Sequence, residues 1–148
     1  MNIAVIFAGG IGKRMNSNGT PKQFLKLNDK EIIIYTLEIF ENSKEIDGIV
    51  VSCLEEKIME LQELVKKYNL KKVIKIVKGG ETGQESIYNG IIAAKEISKN
   101  ENSILLIHDG VRPLINQKVI SDSINCVEKN KNAIIVAPAI ETIIKSKE

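Results

Sequence analysis

The feature that most restricts the fold of this chain is an apolar strand that runs directly into a glycine-rich bend. Residues 3–7 read Ile-Ala-Val-Ile-Phe, residues 8–15 read Ala-Gly-Gly-Ile-Gly-Lys-Arg-Met, and residues 21–24 read Pro-Lys-Gln-Phe. The backbone N–H groups of such a bend can converge on phosphate oxygens, and Lys13, Arg14 and Lys22 bring positive charge to the same place. The pattern predicts a cradle for a triphosphate. The alternative is a plain tight turn with solvated cations.

Two better-known phosphate loops do not fit this spacing. In a Walker A loop, G-x-x-x-x-G-K-[ST], the first glycine and the final Ser or Thr would fall on Phe7 and Arg14. The dinucleotide fingerprint G-x-G-x-x-G finds Gly10 and Gly12, and then Met15 in place of its third glycine. Both motifs are therefore excluded on spacing.

Composition narrows the class of protein further. A chain of 148 residues with 43% hydrophobic content can bury a core as one domain, which we expect to span residues 1–148. The net charge is only +2 and aromatic residues make up 4%, which weighs against a nucleic-acid groove or a charged membrane surface. There is no signal-peptide pattern or membrane-spanning run, so we expect a cytoplasmic protein with Cys53 and Cys126 as reduced core thiols.

Short β-branched segments alternate with helical periods along the chain. The strand-like segments after the first are residues 46–53, 72–77, 103–107 and 133–137. Apolar residues at helical spacing lie between and beside them, at 33–40, 58–68, 87–97 and 119–127. This alternation predicts an α/β fold with three layers, a Rossmann-like, mainly parallel sheet covered by helices on both faces. Ligands should then bind at the carboxyl ends of the strands, in the loops after residues 7, 53, 77, 107 and 137.

The loop after the strand at 72–77 carries two glycines and a serine at the start of a helix. Gly79 and Gly80 are followed by Glu81, and Ser86 opens the helical period. Such a loop can offer backbone groups and a hydroxyl to a base or a ribose. The simpler alternative makes Glu85 or Ser86 an ordinary residue of the first helical turn.

The loop after residue 107 contains an aspartate and an arginine. Asp109 at the carboxyl edge of the sheet could hold a Mg²⁺ that bridges nucleotide phosphates, and Arg112 could reach a ligand phosphate. His108 points away from Asp109 if strand alternation continues, so a structural role is favoured for it. The segment that begins at Pro138 is a weaker signal, where an acceptor-binding arm could start.

Four motifs, taken in order, cover essentially the whole chain and carry a resemblance. A-G-G-x-G-x-R-M with P-K-Q-F, G-G-E-x-x-x-x-S-I-x-N-G, H-D-G-V-R-P-L and A-P-A-I-E-T-I-I-K resemble the 2-C-methyl-D-erythritol 4-phosphate cytidylyltransferase family, which includes the ribitol-5-phosphate cytidylyltransferases. The resemblance implies transfer of a cytidylyl group from CTP to a polyol phosphate, with Mg²⁺ assisting and pyrophosphate leaving. The first expectation for the acceptor is 2-C-methyl-D-erythritol 4-phosphate, and the alternative is ribitol 5-phosphate.

The resemblance also implies roles for individual residues. Arg14 and Lys22 match the family's transition-state stabilisers, and Asp109 matches the metal-linked aspartate. Arg112 and Thr142 are expected to bind the acceptor polyol phosphate. The positions expected to contact the nucleotide are Ala8, Gly9, Gly10, Gly12, Gly80, Glu81, Ser86 and Asp109. A homodimer is expected through the segment from about residue 138 onward.

The chain departs from the family pattern in three places. Gly83 and Gln84 stand where family members often carry an Arg and a small residue. The Gly110-Val111 pair of the His-Asp-Gly-Val-Arg-Pro segment stands where many erythritol-phosphate enzymes carry Ala-Ala or Ala-Val. The family continues past residue 148 with a second metal-binding Asp and cationic acceptor ligands, so we expect residues 1–148 alone to bind CTP with Mg²⁺ and turn over weakly. Two other classes stay open, a nucleotide-binding module without turnover and a dinucleotide-binding oxidoreductase domain.

Overall fold

The computed structural model describes residues 1–10, 19–99 and 102–138. Its main sheet contains four parallel strands, β1, β4, β5 and β6, in the spatial order β5-β4-β1-β6, and β2 pairs with β3 in a separate antiparallel hairpin. The strands are β1 (Asn2–Ala8), β2 (Lys26–Leu27), β3 (Lys30–Glu31), β4 (Gly48–Cys53), β5 (Val73–Lys78) and β6 (Ile104–Asp109). The helices are α1 (Ile32–Glu41), α2 (Ile58–Lys67), α3 (Gly83–Ser98) and α4 (Gln117–Asn130), with 3₁₀ turns at Lys22–Phe24 and Glu55–Lys57.

Helices cover both faces of the sheet, as the alternating pattern predicts. One face packs against α1, α2 and α4 through a cluster that includes Ile6, Leu37, Val51, Leu61 and Ile120. The opposite face packs against α3 through a smaller cluster built on Ile3, Val5, Val50, Ala93 and Ala94. Because successive strand residues point to opposite faces, β1 and β4 supply side chains to both clusters and are apolar apart from Asn2 and Ser52. The three-layer α/β architecture is therefore confirmed.

Strand register brings the ends of the two central strands and of β6 to one edge. Ala8 pairs with Cys53 of β4, and Phe7 pairs with Asp109 of β6. The strand predicted at 103–107 thus runs two residues further, because His108 and Asp109 continue the ladder with β1. The same edge receives the loop after β5, since Lys78 pairs with Cys53.

Close packing of α3 on β1 requires a glycine at position 90. A Cβ there would lie 2.5 Å from Val5 Cγ1, whereas a Cβ at Gly83 in the first turn of the same helix would meet nothing within 4 Å. We expect Gly90→Ala to lower the free energy of unfolding by about 1–3 kcal/mol through overpacking, despite the better helix propensity of Ala. Gly83→Ala is the matched control and should be neutral or stabilising. Urea unfolding checks both, and an unchanged midpoint in Gly90→Ala would contradict this packing.

The hairpin of β2 and β3 was not predicted. Its turn residues, Asn28 and Asp29, have φ angles of 49° and 60°. Positive φ at both central positions is the geometry of a two-residue type I′ turn, which Asn and Asp tolerate better than other side-chain-bearing residues. The Asn-Asp pair could therefore have predicted this hairpin turn.

The predicted strand at 133–137 is wrong. Residues 133–138 carry no strand pairing, and Ile134, Ile135 and Val136 are 86%, 63% and 81% exposed. A groove of about 940 Å³, lined by residues of β6, α4 and Ala133–Ile135, opens beside this segment. A β-branched run forms a strand only where a neighbour lies within reach of its backbone, and the described part of the chain supplies none there.

Candidate functional site

Loops from four parallel strands meet at the carboxyl edge of the sheet. The Gly79 N–H donates to the Cys53 carbonyl at 2.7 Å, which ties the loop after β5 to the end of β4. The Gly110 N–H donates to the Phe7 carbonyl at 3.0 Å, which ties the loop after β6 to the end of β1. The predicted location of the site, at the strand ends, therefore coincides with an edge where these backbones are held together.

The first glycine bend and the loop after β5 touch at Gly9. A Cβ on Gly9 would overlap the Ser86 hydroxyl, and a Cβ on Gly79 would lie 2.9 Å from Ser86 Oγ and 3.2 Å from the Cys53 carbonyl oxygen. Gly10, in contrast, has nothing within 4 Å of its Cβ position. Gly9 and Gly79 are thus required by close backbone approach, while Gly10 faces open space.

Ser86 sits at the centre of this contact and is 1% exposed. Its Oγ donates to the Thr82 carbonyl at 3.0 Å and accepts from the Gly80 N–H at 3.0 Å. The sequence suggested that this hydroxyl, or the Gly80 N–H, could be offered to a base or a ribose. In the structure both groups are used to shape the loop, because each would otherwise be a costly unpaired polar group.

The start of α3 is fixed by a reciprocal cap. Thr82 Oγ1 accepts from the Glu85 N–H at 3.1 Å, and Glu85 Oε2 accepts from the N–H groups of Glu81 at 2.7 Å and Thr82 at 3.3 Å. This capping box makes Glu85 the first-turn residue that the simpler alternative describes. The Glu81 side chain stays exposed at the same edge.

Lys22 belongs to a one-turn 3₁₀ helix anchored beneath the glycine bend. Lys22 is partly buried, Phe24 is 4% exposed within the larger core cluster, and Lys57 Nζ lies 5.2 Å from the Phe24 ring centroid. Between them Gln23, 1% exposed, donates from Nε2 to the carbonyls of Ala8 at 2.6 Å and Gly10 at 3.0 Å. Gln23 belongs to the P-K-Q-F motif, but no role is predicted for it from the sequence. Its place between a lysine and a core aromatic residue was the sequence feature that could have indicated a buried amide.

Asp109 ends β6 and is held by its own loop. Its Oδ1 accepts from the Val111 N–H at 3.2 Å, and its Oδ2 lies 3.6 Å from Arg112 Nε. The side chains of Asp109 and Arg112 are 23% and 76% exposed. The buried Thr36 hydroxyl of α1 donates to the Gly110 carbonyl at 3.0 Å and anchors this loop from below, a contact that the sequence did not indicate. Arg112, expected near the acceptor, is paired with Asp109 in the structure.

The carboxylate of Asp109 is compatible with Mg²⁺ bound through a nucleotide. Within the described ranges, no cluster of three or more His, Cys, Asp or Glu side chains could hold a metal. Mg²⁺, however, commonly takes one or two carboxylates and completes its shell with phosphate oxygens and water. Asp109, partly exposed at the strand ends, fits that requirement.

His108 has the structural role that strand alternation favoured. Its Nε2 lies 3.0 Å from the Arg112 carbonyl, which can only accept, so Nε2 carries the proton. The imidazole also packs against Phe40, with ring centroids 5.2 Å apart. Burial lowers the pKa of His108, and this outweighs the hydrogen bond to Arg112, which raises it.

This lowered pKa gives a pH dependence of stability with a defined sign. The unfolded chain binds a proton on His108 more readily than the folded chain, so stability is present above the unfolded pKa and is lost as the pH falls through the folded value. We expect the wild-type unfolding midpoint to drop between neutral pH and about pH 5 by more than it does in His108→Gln, which keeps an N–H donor without titrating. Urea unfolding of both proteins at each pH measures the two drops. Equal drops would contradict the role of His108 in this pH dependence.

Cys53 lies below the same loops and is expected to be an unreactive thiol. It is fully buried, and burial raises the pKa of its thiol to about 12. Cys126 is also a free thiol but is only partly buried on α4, so the expectation that both are core thiols holds for Cys53 alone.

Three of the predicted site residues lie outside the described residues: Gly12, Arg14 and Thr142. The segment expected to form a dimer contact falls almost wholly beyond residue 138 and is outside them as well. In the part of the chain that the structure describes, no helix has the length and apolar character needed to cross a membrane.

Comparison with known proteins adds to this geometry. The sequence profile of a family described as IspD, 2-C-methyl-D-erythritol 4-phosphate cytidylyltransferase, matches residues 2–148. A ribitol-5-phosphate cytidylyltransferase of Vibrio parahaemolyticus is 51% identical over 97% of this chain and 60% of its own length. A 2-C-methyl-D-erythritol 4-phosphate cytidylyltransferase of Clostridioides difficile is 41% identical over 97% of this chain and 58% of its own length. The chain thus spans about 60% of the length of these curated relatives.

Solved structures share the fold of this chain. The crystal structure of a 4-diphosphocytidyl-2C-methyl-D-erythritol synthase, 23% identical, covers 99% of this chain with a TM-score of 0.78, over 63% of its own length, and supports the fold. The 2-C-methyl-D-erythritol 4-phosphate cytidylyltransferase of Francisella tularensis is 27% identical, with a TM-score of 0.70 over 99% of this chain and 61% of its own length. The profile match over nearly the whole chain and the relatives above 40% identity carry the conclusion. The chain belongs to the 2-C-methyl-D-erythritol 4-phosphate cytidylyltransferase family.

Proposed function

We propose that this chain carries the nucleotide-binding part of a CTP-dependent cytidylyltransferase whose acceptor is ribitol 5-phosphate. The observation that carries the reaction class is the joining of the glycine bend, the Lys22 segment, the capped loop before α3 and Asp109 at one sheet edge. The choice of acceptor rests on the relatives: those at 47–51% identity are named for ribitol 5-phosphate, and those at 41–44% for the erythritol phosphate. This favours the alternative acceptor over the one first expected.

The proposed reaction is an in-line displacement at phosphorus. A phosphate oxygen of the acceptor forms a bond to the α-phosphorus of CTP, and the bond from that phosphorus to the oxygen bridging it to the β-phosphorus breaks, so that pyrophosphate leaves with the electron pair. The nucleophile is already an anion, so no general base is needed. The barrier comes from bringing negative charges together, and fixed positive charge and positioning lower it.

Each group at the edge has a part in that scheme. Lys22 and Arg14 are cationic at neutral pH and would stabilise charge that develops on the transferring phosphoryl group. The glycine bend of Ala8, Gly9 and Gly10 would lie against the triphosphate, with close approach allowed at Gly10, whose Cβ position faces open space. Mg²⁺, if held by Asp109 and the phosphate oxygens, would neutralise charge on the nucleotide.

The remaining expectations are part of the same proposal. The free thiols Cys53 and Cys126 fit a reducing compartment such as the cytoplasm. A homodimer would use the segment from about residue 138 onward, and the exposed apolar run Ile134–Val136 directly precedes that segment.

A matrix of nucleotides and acceptors tests the proposal. Pyrophosphate release is measured with CTP, UTP, ATP or GTP against ribitol 5-phosphate or 2-C-methyl-D-erythritol 4-phosphate, with Mg²⁺. The measurement uses residues 1–148 and the natural-length protein, which is this chain with any natural extension. We expect release with CTP and ribitol 5-phosphate from the natural-length protein, and CTP binding with weak release from residues 1–148. Preference for the erythritol phosphate would overturn the acceptor assignment. CTP binding without release by either protein would indicate a module without turnover, and NAD binding without CTP binding would revive the oxidoreductase alternative.

A further inference from the structure

The buried amide of Gln23 joins the glycine bend to the Lys22 segment. It is 1% exposed, and its Nε2 lies 2.6 Å from the Ala8 carbonyl oxygen and 3.0 Å from the Gly10 carbonyl oxygen. An amide nitrogen has two hydrogens, so these two acceptors use its whole donor capacity. The carbonyls bracket Gly9, at the point where β1 leaves the sheet and ladder partners end.

These bonds fix the orientation of the bend. In a trans peptide the C=O and the following N–H point in opposite directions. Turning the Ala8 carbonyl toward Gln23 therefore turns the Gly9 N–H away from the buried amide. The side chain of Gln23 thus sets which way the peptide groups of the bend face, and backbone N–H groups are what such a bend presents to phosphate.

The same residue sets the position of Lys22. The 3₁₀ turn is closed by the Phe24 N–H, which donates to the Pro21 carbonyl at 2.9 Å, and Phe24 is buried in the core. Lys22 is therefore followed directly by an amide that binds the bend and then by a phenylalanine anchored in the core, and these two contacts fix the backbone that carries the lysine. A displacement of the bend relative to this turn would move the lysine charge relative to bound phosphate, and misplacements of about 1 Å are enough to lower rates about a hundredfold.

We propose that Gln23 is a positioning residue that couples the phosphate-binding bend to Lys22, so that triphosphate binding depends on its two donors. This rests on the proposed function for its biological meaning. The binding of inorganic triphosphate can nevertheless be measured without any transfer reaction, and that is the probe used.

Gln23→Met keeps the length and approximate volume of the side chain and removes both donors. In calorimetric titration of the 148-residue chain with inorganic triphosphate, we expect Kd to rise about tenfold. This is roughly the net contribution of one hydrogen bond that holds the bend in place. The matched control is Gln117→Met, because Gln117 Nε2 also donates to a backbone carbonyl, that of Ile39 at 2.7 Å, in an exposed position on α4. Gln117→Met should bind triphosphate as the wild type does. An unchanged Kd in a folded Gln23→Met would overturn the proposal.

A measurement on the wild type keeps the inference testable if Gln23→Met does not fold. The side-chain amide hydrogens of Gln23 should exchange slowly with solvent, and their ¹⁵N-correlated NMR signals should shift on addition of inorganic triphosphate, while those of Gln117 do not. Signals of Gln23 that stay in place at saturating triphosphate, or absence of triphosphate binding by the wild type, would overturn it. Triphosphate binding with the expected shifts but no cytidylyl transfer by the natural-length protein would refute the proposed function and leave the role of Gln23 standing.

Discussion

Lys22→Ala is expected to reduce cytidylyl transfer by the natural-length protein by two to three orders of magnitude, about 3–4 kcal/mol of transition-state stabilisation. The reason is that a fixed cation beside the transferring phosphoryl group is worth far more in a partly desolvated site than in water. Lys22 is partly buried, and its backbone is held by neighbours that the substitution leaves in place. The loss should therefore appear in kcat, while the thermal unfolding midpoint stays close to that of the wild type.

A surface lysine provides the control for this result. Lys118 on α4 is 80% exposed and pairs with Asp122 at 2.6 Å, away from the strand ends. Exposed pairs of this kind contribute little to stability, so Lys118→Ala should leave both transfer and folding unchanged. Arg14→Ala should resemble Lys22→Ala, as the family resemblance implies. Near-normal turnover in Lys22→Ala would remove the basis for the proposed mechanism.

Ser86→Ala is expected to lower the affinity for CTP about tenfold or more, and to affect inorganic triphosphate much less. The substitution removes the acceptor of the Gly80 N–H and the donor to the Thr82 carbonyl, both at 3.0 Å. The loop that we propose to face the nucleoside would lose these two bonds and keep those of the capping box. A loop that reads a base rejects wrong bases through unpaired polar groups. We therefore expect the preference of the protein for CTP over UTP to fall in parallel.

The opposite end of the same helix supplies the matched variant. Ser98 Oγ donates to the Lys95 carbonyl at 3.3 Å in an exposed turn, so Ser98→Ala removes a serine hydroxyl bond outside the site. Nucleotide titrations of both variants by calorimetry separate a site effect from a general effect on α3. If Ser86→Ala binds CTP and UTP as selectively as the wild type, the loop before α3 does not read the base.

Much of the fold was predictable because the apolar strand runs and the helical spacing of apolar residues are both strong in this chain. Runs such as Ile49–Val51 are buried on both faces, and Ile33, Leu37 and Phe40 keep helical spacing, so strand and helix types were correct. The exception is 133–137, where a β-branched run is exposed. Strand formation there depends on a neighbour rather than on the run itself, and a local pattern carries no information about neighbours.

The site was predictable in location more than in detail. Glycines and cations at strand ends pointed to one edge of the sheet, because the carboxyl ends of parallel strands converge, and the structure joins the loops at that edge. The contacts of Gln23 and Thr36 could not be predicted, since each side chain donates to a backbone carbonyl of a loop distant in sequence. The hydroxyl of Ser86 was assigned to a ligand for the same reason: its partners, Gly80 and Thr82, become apparent only when the loop folds back on the helix start.

The most direct test of the account is a ³¹P NMR time course of the natural-length protein with CTP, Mg²⁺ and ribitol 5-phosphate. We predict loss of the three CTP resonances and equal growth of free pyrophosphate and of a diphosphate diester that joins cytidine to ribitol. Both product signals should grow far more slowly with Lys22→Ala and at the wild-type rate with Lys118→Ala. Unchanged CTP in the presence of the wild-type protein, or a diester that forms as fast in Lys22→Ala, would contradict it.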